Sequence, residues 1–278
     1  MTDAFGRSIL ILAPHPGDEV VACHAAAGRA RAAGAVLQVL YLTHGCPERE
    51  GVWPWLRSRY DERLADRRHE AEMVAAEAGL RTGRWPTRAV GRLWRELPAV
   101  EREVGEVART HGVDQLWVPA FEGASPDADG ANAVASRFAA TGMSVLEFAG
   151  LNFAGGRPHS NSFPQPTGDE QPLVLSSAEQ AAKLRALGLH ASQASALRQA
   201  TARLEIFRPL PVHDYRRPPH PGRLWYARPG RNPFAGPRPE RTDPDDVAAA
   251  IKAFLTTDPP EPINPRLTTT ADPVSRLP

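Results

Sequence analysis

Leu10-Ile11-Leu12-Ala13-Pro14-His15-Pro16-Gly17-Asp18-Glu19-Val20 is the stretch that decides the fold. It begins inside a short continuous apolar run, residues 8–12, which is typical of a buried strand. The run stops at a Pro-His-Pro-Gly turn, and small, helix-compatible residues follow from Asp18 onward. His15 and Asp18 are therefore predicted at the carboxyl end of the first strand, where open parallel sheets bind their ligands.

The segments that follow repeat the alternation of strand and helix. A helix is predicted from Asp18 to about Ala33, ending at Gly34, and a second strand over residues 36–42. This βαβ unit implies a parallel sheet with a right-handed crossover. Further helices are predicted over residues 57–78 and 95–111, and further strands over 115–118 and 144–153. The sequence predicts an α/β fold, with a Rossmann-like, mostly parallel sheet that carries helices on both faces.

A later helix has a clear start signal. Ser176 and Glu179 have the spacing of a capping box, in which the serine caps the helix and the glutamate reaches back to it. The spacing of the apolar residues predicts a buried face that carries Leu184, Leu187 and Leu197.

On the residues alone, the turn after the first strand has two interpretations. A histidine and a carboxylate three positions apart, at the start of a helix, can both face one metal ion. Alternatively, His15 is only a turn residue and Asp18 only caps the helix.

Composition limits the classes of partner. The 278 residues include 33 basic and 32 acidic side chains, and a net charge of +1 does not favour nucleic acid or an anionic membrane. No segment approaches the roughly 18 consecutive apolar residues of a membrane span. Two cysteines without a Cys-x-x-Cys motif, and an amino terminus without a signal-region pattern, predict a reduced, cytoplasmic protein.

The use of proline changes near residue 229, because eleven of the 28 prolines lie at or beyond Pro229. We therefore expect a domain over residues 1–227 and an extension over 228–278. The extension is predicted to consist of a Pro/Arg-rich linker, a short helix at about 244–255 and a disordered tail.

The turn resembles the signature of a known family. Residues 13–19, Ala-Pro-His-Pro-Gly-Asp-Glu, are similar to the Ala-His-Pro-Asp-Asp-Glu motif of the PIG-L/LmbE family of zinc-dependent N-deacetylases. In that family the histidine and the second aspartate bind zinc, and the first aspartate is the general base. The resemblance thus implies metal ligands at His15 and Asp18, with glycine at the base position, Gly17. It extends over about residues 8–227 and implies an LmbE-like fold.

A second loop carries the other half of the resemblance. Residues 122–129, Glu-Gly-Ala-Ser-Pro-Asp-Ala-Asp, are similar to the family's Glu-Gly-Gly-His-Pro-Asp-His-Asp. The family histidine that assists catalysis near the oxyanion is Ser125 here, and the third zinc ligand is Ala128. Asp127 and Asp129 are candidate replacement ligands, because carboxylates also bind zinc. Alternatively, Asp127 stabilises its own turn and Asp129 caps the next helix.

Other segments add candidate residues around the same site. Arg67 and Glu70 resemble the family's Arg-x-x-Glu pattern, which implies a structural ion pair beneath the site; the alternative is a solvated pair at helix spacing. His44 follows the second strand and is a candidate for contacting substrate at the same edge of the sheet. Asn161 and His190 are further candidates, because their segments resemble the family's Asn-x-Phe and His-x-Ser-Gln motifs.

Two functional hypotheses follow. A catalytic zinc needs three protein ligands and a base for its water, and this sequence keeps two ligands and lacks the base. We therefore expect zinc binding to be weak or absent, and favour an impaired or non-catalytic relative that binds a small, sugar-like molecule such as an N-acyl amino sugar. The alternative is an active metal-dependent N-deacetylase or amidase with a rearranged site. Whether the chain is an enzyme, its substrate and its oligomeric state are left open.

Overall fold

The computed structural model describes residues 5–198, 200–228 and 242–263. Nine strands lie within these ranges: β1 Ser8–Ala13, β2 Val36–Tyr41, β3 Arg81–Thr82, β4 Gln115–Pro119, β5 Ser144–Phe148, β6 Leu151–Asn152, β7 His159–Ser160, β8 Gln171–Val174 and β9 Leu204–Pro209. Most of the predicted linker and tail, residues 229–241 and 264–278, lies outside the described residues.

The main sheet contains seven strands in the order β3-β2-β1-β4-β5-β9-β8. The first five strands of this order pair in parallel, while β9 pairs antiparallel with both β5 and β8. Strands β6 and β7 form a separate antiparallel pair. The prediction of a mostly parallel Rossmann-like sheet is confirmed.

Seven α-helices surround the sheet in the described ranges: α1 Asp18–Ala32, α2 Tyr60–Ala78, α3 Leu97–Thr110, α4 Pro126–Ala140, α5 Ser177–Leu189, α6 Ala194–Leu197 and α7 Pro244–Leu255. The bounds of α1, α2, α3 and α7 agree with the predicted helices to within about three residues, and a 3₁₀ helix, Pro54–Arg59, precedes α2. The helix predicted from Ser176 to Leu197 is wrong as one element, because α5 ends at Leu189 and a 3₁₀ turn separates it from α6. None of the helices in these ranges has the length and apolar character needed to cross a membrane.

The continuous apolar run of β1 is explained by burial on both faces of the sheet. Ile9 and Ile11 pack in the core with α1 and α2, whereas Leu10 and Leu12 pack in the core with α3, α4 and α7. Helices on both faces were predicted and are observed. This packing fixes the carboxyl end of β1, and therefore the turn that follows it, between two helical layers.

The predicted strand over residues 144–153 is wrong as one element, because the chain breaks between β5 and β6. Gly150 lies at the break, and its N–H donates to the carboxylate of Glu122 at 2.8 Å instead of to a neighbouring strand. The diverted hydrogen bond ends the main-sheet pairing and brings residues 150–151 to the edge of the cavity described below.

Helix α5 begins as predicted but buries a different face. Ser176 and Glu179 form the complete capping box. Leu184, however, is 58% exposed, while Lys183 is fully buried. The Lys183 ammonium lies 2.9 Å from the carboxylate of Glu205 on β9, and this ion pair makes burial of the lysine possible.

Candidate functional site

The turn after β1 is built around a glycine and a carboxylate that folds back onto it. Gly17 has a φ of 105°, a backbone conformation that residues with a Cβ rarely adopt. Its N–H donates to Glu19 Oε2 at 2.8 Å, and the hydroxyl of Tyr41 donates to Glu19 Oε1 at 2.9 Å. The buried Glu19 therefore ties the turn to β2 and holds residues 15–18 at the carboxyl edge of the sheet.

His15 lies between two carboxylates at this edge. Its Nδ1 is 3.2 Å from Asp18 Oδ2, and its Nε2 is 3.1 Å from Asp127 Oδ2. Burial by itself lowers the pKa of His15, but the two carboxylates outweigh this effect and raise the pKa to about 10. At neutral pH the ring is thus an imidazolium that donates from both nitrogens.

Asp127 links distant segments of the chain and does not stabilise its own turn. Its buried carboxylate accepts the backbone N–H groups of Gly91 at 2.6 Å and Leu93 at 3.0 Å, in addition to its contact with His15. The expectation that it stabilises its own Pro-Asp turn is wrong, because its partners lie on a segment more than thirty residues earlier in the chain. Asp127 therefore joins three separate parts of the site.

Asp129 also differs from its expected role. The N-cap of α4 is Ser125, whose hydroxyl accepts from Ala128 N at 3.0 Å. Asp129 instead accepts from Gly123 N at 3.0 Å, inside the loop that precedes the helix. Burial raises the pKa of Asp129 to about 7.

The donor set does not fit a catalytic zinc. Each ring nitrogen of His15 is within hydrogen-bond distance of a carboxylate oxygen, so a metal ion would have to displace one of these contacts. Both oxygens of Asp127 accept backbone N–H groups, and the third family ligand is Ala128. Among the described residues, no group of three histidine, cysteine, aspartate or glutamate side chains could hold a metal ion. His15, Asp18, Asp127 and Asp129 thus do not form a metal cage in this arrangement.

The position of the family base lies in van der Waals contact with an aliphatic side chain. A Cβ built on Gly17 would lie 3.4 Å from Leu197 Cδ1 and 3.7 Å from His190 Cδ2. The same segment is fixed to the turn because Gln193 Nε2 donates to Pro16 O at 3.0 Å. A side chain at position 17 would therefore meet an unfavourable φ, whereas its Cβ would make ordinary van der Waals contacts.

A cavity of about 420 Å³ opens beside His15, and we call it the His15 cavity. Its polar wall includes Asp18, Ser125 and Gln193, and its apolar wall includes Phe148 and Trp225. Such a mixture of a few polar groups with apolar surface is typical of small-molecule sites, and the volume falls within their usual range.

Glu122 is the residue of this cavity that the sequence did not single out as functional. Its carboxylate accepts from Gly150 N at 2.8 Å and from Asn152 Nδ2 at 3.3 Å. Burial raises its pKa to about 8, and its hydrogen bonds only partly oppose this effect. Its position within the family-like Glu-Gly segment was the only available signal, and nothing in the spacing indicated a protonated carboxyl group.

The raised pKa of Glu122 predicts a pH dependence of stability. Between the unfolded pKa of 4.5 and the folded pKa of about 8, the folded chain keeps a proton that the unfolded chain has released. Stability should therefore fall as pH rises from 5 to 8, with this group contributing up to about 1 kcal/mol per pH unit. Urea unfolding of Glu122→Gln, whose amide mimics the neutral carboxyl group, should show a shallower decline. An unchanged slope in the variant would contradict this assignment.

The three remaining candidates lie outside the His15 cavity. His44 lines a different cavity, and its Nδ1 accepts from Cys46 N at 3.2 Å. Asn161 is buried and donates from its side chain to Leu204 O. His190 is fully buried, with Nε2 3.8 Å from Glu19 Oε1.

Arg67 and Glu70 act on a common partner rather than on each other. Glu70 accepts from the backbone N–H of Ser192 at 2.8 Å and from its hydroxyl at 2.6 Å, while Arg67 Nη2 donates to Ser192 O at 3.2 Å. The expected ion pair between Arg67 and Glu70 is not found in the described part of the chain. Both side chains instead hold Ser192, whose neighbour Gln193 bonds to the turn at Pro16.

Comparison with known proteins finds a family model that matches part of the chain. Residues 10–136 match the PIG-L family, described as GlcNAc-PI de-N-acetylase. This range includes β1, the His15 turn, and the loop with Asp127 and Ala128. No curated protein matches the chain in sequence.

Several solved structures share the fold. The deacetylase Dbv21, which acts on the A40926 pseudoaglycone, superposes with a TM-score of 0.57 at 17% identity, covering 73% of this chain and 96% of its own. The zinc-inhibited form of teicoplanin deacetylase Orf2 gives a TM-score of 0.54 at 14% identity, covering 73% and 97%. The N,N′-diacetylchitobiose deacetylase of Pyrococcus horikoshii gives 0.51 at 17% identity, covering 73% and 83%. At these identities the likeness shows a common fold.

Proposed function

Because residues 10–136 belong to the PIG-L family, we propose that this chain binds a small N-acyl amino sugar or related amide in the His15 cavity without hydrolysing it. The ligand class is supported by the family description and by the structural neighbour that acts on N,N′-diacetylchitobiose. A volume of about 420 Å³ is enough for one sugar ring with its acyl group.

The observation that carries the loss of hydrolysis is the conformation of Gly17. Amide hydrolysis by a bound water needs a base within hydrogen-bond reach of that water. The φ of 105° at Gly17 is a backbone conformation that residues with a Cβ rarely adopt, so a carboxylate side chain at this position would strain the turn. The glycine at position 17 is thus required by the conformation of the turn, so restoring an aspartate would also change the backbone.

The engagement of His15 supports the same proposal. An imidazolium between Asp18 and Asp127 donates hydrogen bonds, and it would have to lose a proton before it could bind a metal. In a binding site, the exposed part of Asp18 can accept a hydrogen bond from a ligand hydroxyl group. The charged groups of His15 and Asp18 would then bind the ligand and would not activate a water molecule.

One observation favours a second candidate, an active hydrolase with a rearranged site. Glu122 lies in the wall of the same cavity, and a carboxyl group with a pKa of about 8 can exchange a proton near neutral pH. In that case Glu122 would take the part of the missing base. Loss of amide turnover in Glu122→Gln would then separate this candidate from the binding protein.

Binding is tested by calorimetry with N-acetylglucosamine as the probe. Ala128 is buried in the cavity wall, so Ala128→Leu should fill part of the space and weaken binding by about tenfold or more. Ala76→Leu, an exposed position on α2, is the matched control and should bind like the wild-type chain. Equal affinity of the Ala128→Leu variant and the wild-type chain would refute the proposed site.

A further inference from the structure

A second and larger cavity lies next to the His15 cavity. It has a volume of about 750 Å³ and runs between the segment over residues 83–92 and helix α3. We call it the outer groove. Its wall includes Trp85, His44 and Val107, and none of the residues that carry the family's catalytic motif lines it.

A thin wall of paired backbone separates the two cavities. His44 N donates to Arg88 O at 2.9 Å, and Val90 N donates to Cys46 O at 2.9 Å. Gly45 and Val90 face the His15 cavity, while their neighbours His44 and Ala89 face the outer groove. The outer groove is therefore a separate site on the other side of this wall.

The charges of the outer groove nearly balance. Five carboxylates and four guanidinium groups line it: Glu48, Glu50, Glu96, Glu103, Glu106, Arg49, Arg84, Arg88 and Arg92. Several of them already pair with each other; Arg88, for example, lies 2.9 Å from both Glu96 and Glu103. A strongly charged ligand of either sign would meet repulsion here. The described residues also offer no group of three side chains suitable for a divalent cation.

The wall of the outer groove also carries aromatic rings and a hydrogen-bond donor on His44. The rings of Tyr41 and Trp85 lie 5.5 Å apart, and the guanidinium of Arg49 lies over the ring of Tyr60. His44 Nδ1 accepts from Cys46 N, so the proton of the neutral ring is on Nε2, which has no hydrogen-bond partner among the described residues. This combination suits a ring with an apolar face and hydroxyl groups at its edge.

We propose that the outer groove binds a neutral, hydroxyl-rich ring of the sugar type, with Trp85 packing against its apolar face and His44 Nε2 donating to one of its hydroxyl groups. The interleaved carboxylates and guanidinium groups of the groove supply both acceptors and donors for the remaining hydroxyl groups. This site does not depend on the ligand proposed for the His15 cavity.

The test uses the full chain, with glucose as the neutral probe and glucose 6-phosphate as the charged one, followed by saturation-transfer NMR and calorimetry. Trp85→Ala should weaken glucose binding by about tenfold. Val107→Trp, which fills the groove from α3 and leaves Trp85 in place, should do the same. Trp55→Ala, at an exposed tryptophan outside both cavities, should leave glucose binding unchanged.

Two results would overturn the proposal: glucose binding that survives both Trp85→Ala and Val107→Trp, or no saturable binding of glucose by the wild-type chain. Tighter binding of glucose 6-phosphate than of glucose would refute the neutral ligand class. The Ala128→Leu variant keeps the two sites distinguishable, because it should retain glucose binding in the outer groove. Failure of the His15 cavity to bind N-acetylglucosamine would leave this result unaffected.

Discussion

Lys183→Met should destabilise the folded chain by about 3–5 kcal/mol, because it leaves the carboxylate of Glu205 buried without its cation. Lys183 and Glu205 are both fully buried, with 2.9 Å between Nζ and Oε1. For a chain of this size the melting temperature should fall by about 10 °C. Urea denaturation and differential scanning calorimetry measure both effects.

The position of Glu205 explains why the effect should be large. Helix α1 departs from helical geometry at Cys23, where φ is −141°. In the next turn, the backbone N–H groups of Ala25 and Ala26 donate to the carboxylate oxygens of Glu205, at 3.0 Å and 2.9 Å. Lys183 therefore stabilises a carboxylate that in turn supports the helix carrying Asp18.

A double-mutant cycle controls for the loss of packing. Lys183→Met combined with Glu205→Gln removes both charges but keeps an oxygen near Ala25 and Ala26. The double variant should be less destabilised than the sum of the two single variants. Arg59→Ala, which breaks an exposed pair with Glu62, should leave the unfolding midpoint unchanged. Additive effects of the two buried substitutions would contradict the ion-pair explanation.

Gly17→Asp should destabilise the chain and fail to create hydrolytic activity. A residue with a Cβ at a φ of 105° costs about 1–3 kcal/mol in backbone strain. Gly17→Ala should show the same backbone cost without the added charge. The measurements are urea unfolding and release of acetate from N-acetylglucosamine.

Gly28 provides the matched control for this prediction. It lies within α1, and a Cβ at this position would meet no atom within 4 Å. Gly28→Ala should therefore be neutral or stabilising by about 0.5–1 kcal/mol. A stable Gly17→Asp variant that releases acetate would show that only the side chain was missing, and would contradict the structural account of the turn.

The local elements were predictable because their signals are local. The apolar run of β1, the turn at Pro14, and the capping box of Ser176 and Glu179 each act over a few residues, and each predicts the observed element. The parallel sheet followed from the alternation of strands and helices. The glycine at the position of the family base was also visible in the sequence, although its φ of 105° was not.

The interactions that the sequence could not reveal are long-range. Asp127 binds backbone groups at Gly91 and Leu93, and no local periodicity connects these positions. Lys183 is buried beside Glu205, which lies on a strand more than twenty residues later in the chain. In both cases a polar group is satisfied by a segment that only the tertiary fold brings near.

The central claim is that the His15 site recognises a ligand but does not hydrolyse it. The most direct measurement is acetate release from N-acetylglucosamine by the wild-type chain, with and without added Zn²⁺, together with metal analysis of the purified protein. We expect substoichiometric zinc in the purified protein, and acetate release no faster than in buffer alone, with or without added Zn²⁺. Stoichiometric zinc with a turnover that His15→Ala abolishes would contradict it.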